Sequence, residues 1–501
     1  MSDDAGLVAL LEQAIPELVR AAHVPGLSLA IARGDVVVWE AGFGYADIGA
    51  RRPMTPETVF RSGSMAKVYT ATAVMQLVET GLVELDGTVS DYVGFPVVNP
   101  LGERDVTVDD LLTHRSGLSS NVAHSTLRPP PPLAEHLRAD FERGKNESYR
   151  GAVPKWSAPV GAAVQYSNSG MALLGLIVER SNPDGLTYGT YVGRHILEPL
   201  GMNSSCCPDG DFDDPAQVPA DVHERIGTGY VGWGPLNVAS PKIWFADFPA
   251  GLLLSIPREH IRLLLAFLNG GVYLGRRLLR EDTVRSMLEP RAEISGVSGA
   301  SMVALAWMRG DLGAATEWFG HGGAHMWGWR NEFRAYPNLD LAVVVATNRW
   351  DLARTSSLSP ECDPTALIVQ LAADHVASGG QSPARSWAWK RSYALGLNFA
   401  AANRCYLGMD ESLSEAQLEA MAAQAFDGPV GFDRDGFRAA LADTSDANFS
   451  VAGLDAFLDS DRCRLTRAEL DAVWADAGGV GAFPFPVARP LRTLFESGRT
   501  R

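Results

Sequence analysis

Hydrophobic positions follow a two-residue period near the start of the chain and a helical period soon afterwards. Gly26–Arg33 and Val36–Gly42 alternate apolar and small residues on either side of a polar turn at Gly34, and this alternation predicts a β-hairpin. Across Ser64–Thr80 the apolar residues recur at helical spacing, and Gly81 suits the C-terminal cap of a helix. The pattern therefore predicts two strands followed by a helix that begins at Ser64.

The middle of the chain, from about residue 83 to residue 245, has mostly helix and loop patterns, with helical segments at Val108–Leu112, Met171–Glu179 and Tyr188–Leu197. Strand patterns return in Trp329–Tyr336 and Leu339–Thr347, which flank a Pro337-Asn338 turn, and Pro364–Ala377 has the pattern of a closing helix. Because strands lie at both ends of this region, we expect an α/β sandwich in which they share one sheet, with an inserted helical lobe. The cleft between the two lobes is the expected site.

A second domain is predicted after a short linker. Ser378–Pro383 is polar and contains glycine and proline, as linkers do. The boundary divides the chain into residues 1–378 and a helical C-terminal domain, residues 387–501. Within the latter, Asp459–Glu469 resembles an EF-hand loop, but it is one residue short and lacks the glycine of the sharp turn. A structural helical pair is therefore favoured over a calcium site.

Composition and charge exclude several classes of partner. The chain is 46% hydrophobic and 20% charged, as in ordinary globular proteins, and no apolar run reaches the roughly eighteen residues of a membrane span. A formal charge of −16 would repel phosphate backbones, so no nucleic acid partner is expected. Met1–Arg20 has the pattern of an amphipathic helix and lacks secretory features, and five cysteines are too few for a disulfide framework. We therefore expect a cytoplasmic protein without a membrane partner, and the oligomeric state stays open.

Ser64 and Lys67 form the first candidate for chemistry. A lysine three residues after a serine at a helix start places the ammonium beside the hydroxyl, one turn later. The cation and the helix N-terminus both favour the alkoxide as it forms, so this serine is a candidate nucleophile. Only five lysines occur in the chain, which makes a lysine at this spacing more informative. A surface lysine near a capping serine is the alternative interpretation.

Tyr166 and Asn168 form the second candidate, just before the helical segment that starts at Met171. A tyrosine hydroxyl can relay the serine proton if a neighbouring cation lowers its pKa, and an asparagine amide can hold a substrate carbonyl. A second Tyr-x-Asn, Tyr336–Asn338, lies in the predicted hairpin turn and is interpreted as turn chemistry.

The third candidate is Trp318–His325, an aromatic strand that ends in a glycine-rich stretch. Glycines such as Gly323 let an acyl group approach the strand backbone closely. The Ala324 amide can then join the Ser64 amide as an oxyanion hole, and His321 can supply a proton beside Tyr166. On spacing alone, His325 is an equally good candidate for that histidine.

In this order, Ser-x-x-Lys, Tyr-x-Asn and His-x-Gly resemble the serine β-lactamase, D-alanyl-peptidase and esterase superfamily. Three further stretches are similar to its class C-like branch, so that the resemblance spans roughly residues 5 to 377: Leu111–Leu118, Leu197–Met202 and Pro249–Leu252. The resemblance implies an antiparallel sheet flanked by helices plus a helical lobe.

The resemblance also implies roles for individual residues. Ser64 would be the acyl acceptor, and Lys67 and Tyr166 its proton-transfer partners. Asn168 would contact substrate, and His321 would be the counterpart of the third-motif lysine or histidine. Gly323 and Ala324 are candidate substrate contacts on the strand pattern described above. Histidine at that motif is commoner among the esterases, amidases and transacylases of the superfamily than among true β-lactamases.

The leading hypothesis is a carboxylesterase, amidase or transacylase that forms a Ser64 acyl-enzyme from a small-molecule or peptide ester or amide. The second is a β-lactamase or D-amino-acid peptidase, which the missing export signal disfavours. The third is a non-catalytic assembly protein, against which the intact set of three motifs argues. No cofactor is expected, and no pair of histidines or carboxylates has the spacing of a catalytic metal site.

Overall fold

A computed structural model describes residues 4–22, 24–119, 125–126, 128–148, 151–233, 236–240, 242–294, 300–325, 328–351 and 364–380. The predicted C-terminal domain, residues 387–501, lies outside the described residues, and so does its EF-hand-like loop. The predicted division into two domains therefore stays a prediction, and the architecture below is that of the first domain.

Helices occur at both ends of the described chain and throughout its middle. In chain order they are α1 (Asp4–Ala21), α2 (Ala66–Glu79), α3 (Val89–Val93), α4 (Val108–Leu112), α5 (Leu133–Glu142), α6 (Asn168–Ser181), α7 (Tyr188–Val192), α8 (Ala220–Arg225), α9 (Pro257–Leu268), α10 (Glu281–Leu288) and α11 (Pro364–Ala377). Helix α7 continues into a π-helical turn at Gly193–Leu197, so the predicted segment Tyr188–Leu197 is helical throughout.

Most strands are short, and the long ones lie at the two ends of the described chain. In chain order they are β1 (Gly26–Arg33), β2 (Val36–Asp47), β3 (Arg52–Pro53), β4 (Phe60–Arg61), β5 (Ser125–Thr126), β6 (Lys145–Ser148), β7 (Gly151–Pro154), β8 (Tyr230–Trp233), β9 (Leu236–Ala239), β10 (Trp244–Phe245), β11 (Leu254–Ser255), β12 (Val272–Tyr273), β13 (Arg276–Arg277), β14 (Ala292–Glu293), β15 (Met302–Val303), β16 (Met308–Gly310), β17 (Trp318–His325), β18 (Trp329–Tyr336), β19 (Leu341–Thr347) and β20 (Arg349–Asp351).

The central sheet is antiparallel and has the strand order β14-β15-β16-β17-β18-β19-β1-β2-β3. Strand β1 pairs with β19 from Leu27 opposite Thr347 to Arg33 opposite Leu341. The N-terminal hairpin therefore joins a meander built from the end of the domain. The predicted shared sheet is confirmed.

The second predicted hairpin has a longer turn than expected. Pro337–Leu339 forms a 3-10 turn, and Asp340 follows in the left-handed region with φ 53°. The fixed φ of proline suits the first position of such a turn. Strand β19 consequently begins at Leu341, and the predicted start at Leu339 was wrong. The Tyr336–Asn338 motif lies in this turn, as predicted.

Both faces of the sheet are covered. On β1, Leu29 and Ile31 pack with α1 and α11, whereas Ala30 and Ala32 belong to the larger core on the opposite face. This alternation follows the two-residue period of a strand. The smaller alanine side chains face α9 and let that helix lie close to the sheet. The larger core continues through α2 and α6, so the helical lobe shares its interior with the sheet domain.

The chain that leads into α2 is pressed against β17. Gly63–Met65 forms a 3-10 turn, in which Gly63 has φ +56°. A Cβ added at Gly63 would lie 2.7 Å from the Ala324 nitrogen, and one added at Gly323 would lie 2.0 Å from the Ser62 carbonyl oxygen. The close approach of backbone to backbone thus requires glycine at both positions.

We expect Gly323→Ala to destabilise the domain by about 2 kcal/mol or more, because neither backbone can yield to the new Cβ without breaking the contact. Thermal melting of the purified protein measures the loss. Gly193→Ala is the matched control, because its Cβ would meet nothing within 4 Å. Equal melting temperatures for the two variants would contradict the tight contact between the turn and β17.

Candidate active site

Ser64 lies in the 3-10 turn Gly63–Met65, and α2 begins at Ala66, two residues after the predicted helix start at Ser64. Ser62, two residues before Ser64, is fully buried, and its Oγ lies 2.9 Å from His260 Nε2. The other ring nitrogen of His260 lies 2.7 Å from the Tyr69 hydroxyl. Burial lowers the pKa of His260 to about 3, so this neutral imidazole of α9 anchors the turn.

Lys67 is fully buried, and its ammonium group is surrounded by acceptors. Its Nζ lies 2.9 Å from Ser64 Oγ, 2.8 Å from Asn168 Oδ1 and 2.7 Å from the Ala250 carbonyl oxygen. Burial lowers the pKa of Lys67 to about 7, although the negative charge of Asp247 acts in the opposite direction. Near neutral pH the amine is therefore partly unprotonated and can accept a proton.

Tyr166 lies between the serine and the histidines. Its hydroxyl is hydrogen-bonded to Ser64, and its ring centroid lies 4.9 Å from Lys67 Nζ. The pKa of this tyrosine is raised by burial, and the hydrogen bond with Ser64 offsets only part of the rise, so the condition that a neighbouring cation lowers it is not met. Tyr166 therefore stays protonated and can act as a donor.

Asn168 is the first residue of α6, which starts three residues earlier than predicted because Ser167 caps it. The Ser167 Oγ accepts a hydrogen bond from the Gly170 nitrogen at 3.1 Å. Because α6 starts at this residue, the Asn168 side chain points toward Lys67 and accepts a hydrogen bond from its Nζ. Asn168 therefore positions the lysine, in addition to any contact that it makes with substrate.

His321 lies on the buried face of β17, and its ring centroid is 6.1 Å from that of Tyr166. Its Nδ1 lies 2.5 Å from the Gly322 carbonyl oxygen. Since a carbonyl only accepts, Nδ1 carries the proton. Burial and Lys67 lower the pKa of His321 to about 3, so the ring is neutral and Nε2 is an acceptor. In this form His321 presents an acceptor to the site, whereas the sequence pattern was interpreted as placing a proton donor there.

His325 occupies a different environment. It lies on the same strand, with its ring 6.0 Å from Phe245, and burial together with Arg61 lowers its pKa to about 3. The structure brings His321, and not His325, beside Tyr166. The backbone at Gly323 and Ala324 lies against the turn that carries Ser64, where the predicted oxyanion hole would form.

His114, which the sequence patterns did not single out as a site residue, packs its ring 4.5 Å from the ring of Tyr166. Its carbonyl oxygen accepts from the Gln165 nitrogen at 2.7 Å, and its Nδ1 accepts from the Ser167 nitrogen at 3.3 Å. His114 thus holds the chain on both sides of Tyr166. It has φ 56°, in the left-handed region that asparagine and histidine tolerate better than most residues. The one indication in the sequence was that His114 lies in Leu111–Leu118, a stretch that is similar to the class C-like branch.

Within the described ranges, no group of three or more His, Cys, Asp or Glu side chains is arranged to hold a metal ion. In the same ranges, no helix is both long and apolar enough to cross a membrane. Cys206 and Cys207 are buried free thiols.

An antiparallel sheet between helical layers, with a serine beside a buried lysine at the start of α2, defines the class of β-lactamase-like serine hydrolases. The profile of the Beta-lactamase family matches residues 11–358, and the chain belongs to that family. It is 29% identical over 339 residues to Penicillin-binding protein 4 of Amycolatopsis lactamdurans, a match that covers 65% of this chain and 81% of the other. The chain matches 43% and 56% of the length of two other curated relatives.

Solved structures show the same fold. The octameric penicillin-binding protein homologue from Pyrococcus abyssi is 27% identical, with a TM-score of 0.57 over 73% of this chain and 77% of that one. D-amino acid amidase from Ochrobactrum anthropi SV3 is 22% identical, with a TM-score of 0.57 over 75% of this chain and 97% of that one.

We expect His114→Ala to lower the free energy of unfolding by about 1–3 kcal/mol, because the buried Ser167 nitrogen loses its acceptor. His114→Asn is the matched control, because asparagine tolerates the left-handed backbone and keeps an acceptor near the position of Nδ1. Urea unfolding of both variants measures the difference. If the alanine variant were as stable as the asparagine variant, His114 would not hold the Tyr166 segment as described.

Proposed function

We propose that the chain is a serine hydrolase that forms an acyl-enzyme at Ser64 from an ester or amide substrate. The observation that carries the proposal is the contact of 2.9 Å between Ser64 Oγ and the buried Lys67 Nζ. Burial brings the pKa of that amine to about 7, near the value that suits a general base at neutral pH.

Acylation follows from this geometry. Ser64 Oγ attacks the substrate carbonyl carbon while unprotonated Lys67 takes the hydroxyl proton. Tyr166, which burial keeps protonated, donates its proton to the leaving oxygen or nitrogen and regains one from the Lys67 ammonium. Water, or another acyl acceptor, then attacks the ester, and the same groups move the protons in the reverse direction.

Backbone amides stabilise the tetrahedral intermediate in this proposal. The Ser64 nitrogen lies in the 3-10 turn before α2, and the Ala324 nitrogen lies on the strand packed against that turn. Two N–H groups directed at the developing oxyanion stabilise it without reorganisation, and the loss of one such donor typically costs about 3–4 kcal/mol of the barrier.

His321 favours the esterase, amidase or transacylase hypothesis over a β-lactamase or D-amino-acid peptidase. A cation at this position would attract a substrate carboxylate, whereas a neutral imidazole with an acceptor at Nε2 attracts an N–H or O–H group. Buried Nε2 has no hydrogen-bond partner within the described structure, so a donor from the substrate would satisfy it. The assembled Ser64, Lys67 and Tyr166 also argue against a purely structural role.

The proposal predicts turnover of neutral esters or of D-amino amides at a rate well above that of penicillins. A panel of p-nitrophenyl esters, D-amino amides and β-lactams measures these rates on the full chain, with Ser64→Ala as the blank. In that variant both turnover and labelling by a fluorophosphonate should disappear, because the nucleophile is gone.

Ser301→Ala is the matched control for the loss of a serine, since Ser301 is exposed and lies in another part of the sheet domain. Label that persists in Ser64→Ala would remove Ser64 as the nucleophile. Penicillin turnover faster than that of every ester and amide would establish the β-lactamase alternative instead.

We expect the rate of Ser64 acylation to rise with pH through a midpoint near 7 and then level off. Lys67 accepts a proton only when it is unprotonated, so activity is present above its pKa of about 7 and is lost as the pH falls through that value. Rates of fluorophosphonate labelling between pH 5 and pH 9 measure the midpoint. Tyr166→Phe should keep this midpoint and lower substrate turnover by roughly 10²–10⁴-fold.

A labelling rate that does not change across this range would exclude Lys67 as the base. Near-wild-type turnover in Tyr166→Phe would exclude Tyr166 as the proton donor to the leaving group.

A further inference from the structure

A buried polar cluster lies behind Lys67, and the proposed chemistry does not use it. It comprises Asp247, His136, Asp140 and Lys155, which are exposed to 0%, 8%, 1% and 1% respectively. Asp247 Oδ1 lies 3.1 Å from His136 Nε2, and Lys155 is ion-paired with Asp140. Burying so many ionisable groups is costly even when they are paired, so the cluster calls for a physical explanation.

Asp247 begins the turn that supplies an acceptor to Lys67. Phe248–Ala250 forms a 3-10 turn, in which the Ala250 nitrogen donates to the Asp247 carbonyl oxygen at 2.8 Å. The Ala250 carbonyl oxygen then accepts from Lys67 Nζ at 2.7 Å. Asp247 therefore lies one short turn away from the amine, on the same segment that presents this carbonyl to Lys67.

The turn is held firmly by α2 and α6. Thr70 Oγ1 donates to the Pro249 carbonyl oxygen at 2.6 Å. A Cβ added at Gly175 would lie 2.3 Å from the Pro249 ring, so α6 packs directly on the turn. With the backbone held in this way, the side chain of Asp247 has a defined place, and His136 of α5 fixes its orientation by the contact at Oδ1.

The titratable groups around Lys67 lie on several different segments of the chain. The Tyr166 ring lies 4.9 Å from its Nζ, Lys67 also acts on the rings of His114 and His321, and burial holds each of these three groups uncharged. Asp247 contributes the negative charge that acts on Lys67. Asp247 also acts on Lys155, but that lysine already has Asp140 as its partner.

We propose that Asp247, oriented by His136, is a positioning residue that supplies the counter-charge of Lys67 and fixes the Ala250 carbonyl against its amine. The inference rests on the proposed function, because it concerns the base of that reaction. Asp247 stabilises the ammonium form and so offsets part of the effect of burial. Through His136, helix α5 of the helical lobe thereby acts on the basicity of a residue of α2.

The test is the pH dependence of fluorophosphonate labelling in Asp247→Asn. Without the negative charge the ammonium is less favoured, so the midpoint of the acid limb should move down by about one pH unit, as expected for the loss of a nearby opposite charge. The plateau rate should fall as well, because Lys67 becomes a weaker base. Glu259→Gln is the matched control: it neutralises another buried carboxylate, which contacts Ser204 and Ser205 instead.

His136 gives a second measurement in case Asp247→Asn does not fold. His136→Gln keeps an N–H donor near the position of Nε2, and His136→Phe removes it. We expect the glutamine variant to keep the wild-type midpoint and at least half of the plateau rate, and the phenylalanine variant to lower both.

A midpoint that stays at the wild-type value in both Asp247→Asn and His136→Phe, while Ser64 is still labelled, would overturn this inference alone. The same shift in Glu259→Gln as in Asp247→Asn would also overturn it, since the effect would then come from any buried carboxylate. Absence of Ser64 labelling in the wild-type chain would overturn the proposed function, and this inference with it.

Discussion

The burial of one lysine amine is the constraint on which the structure around the site depends. Lys67 Nζ has three acceptors, and they come from three places: the turn before α2, the first residue of α6 and the 3-10 turn that ends at Ala250. An amine without these partners would be too costly to bury. The sheet domain and the helical lobe must therefore meet at this atom, and the position of Ser64 follows from the same contacts.

The burial that lowers the pKa of Lys67 also makes its neighbours weak acids or neutral acceptors. The amine and both histidines are buried and Tyr166 is partly buried, so each group is shifted toward its uncharged form. In the proposed mechanism the site therefore works with an amine of near-neutral pKa, a neutral phenol and neutral imidazoles. Charge develops mainly during the reaction, where fixed amides can stabilise it in a medium of low dielectric constant. Asp247, behind the amine, is the exception.

Much of the fold could be predicted because the relevant patterns are local. The β1–β2 hairpin, α2 and α11 follow from short hydrophobic periods, and the pairing of β1 with β19 follows from strands at both ends of one domain. The start of β19 could not be predicted, because a left-handed Asp340 extends the turn beyond Pro337. Ser64 and Lys67 could be paired from their spacing along a helix.

The remaining features of the site depend on contacts between distant segments. The proton position on His321 is set by the carbonyl of Gly322, which only the geometry of β17 brings to Nδ1. The role of His114 depends on a residue 52 positions later, since it holds the backbone beside Tyr166. The His136–Asp247 pair joins residues with no recognisable common motif. The cytoplasmic location and the C-terminal helical domain stay predictions of the sequence.

The pairing of β1 with β19 has a consequence for how the domain forms. The partner of the N-terminal hairpin lies more than three hundred residues later in the chain, so the central sheet has a high contact order. During synthesis the β1–β2 hairpin emerges long before β19 and carries an open hydrogen-bonding edge in the meantime. Closure of the sheet must wait until the helical lobe has been made, and such non-local pairing is slow and exposes the chain to aggregation. Completion of the sheet is therefore a late step of folding, in which strands from the two ends of the domain pair with each other.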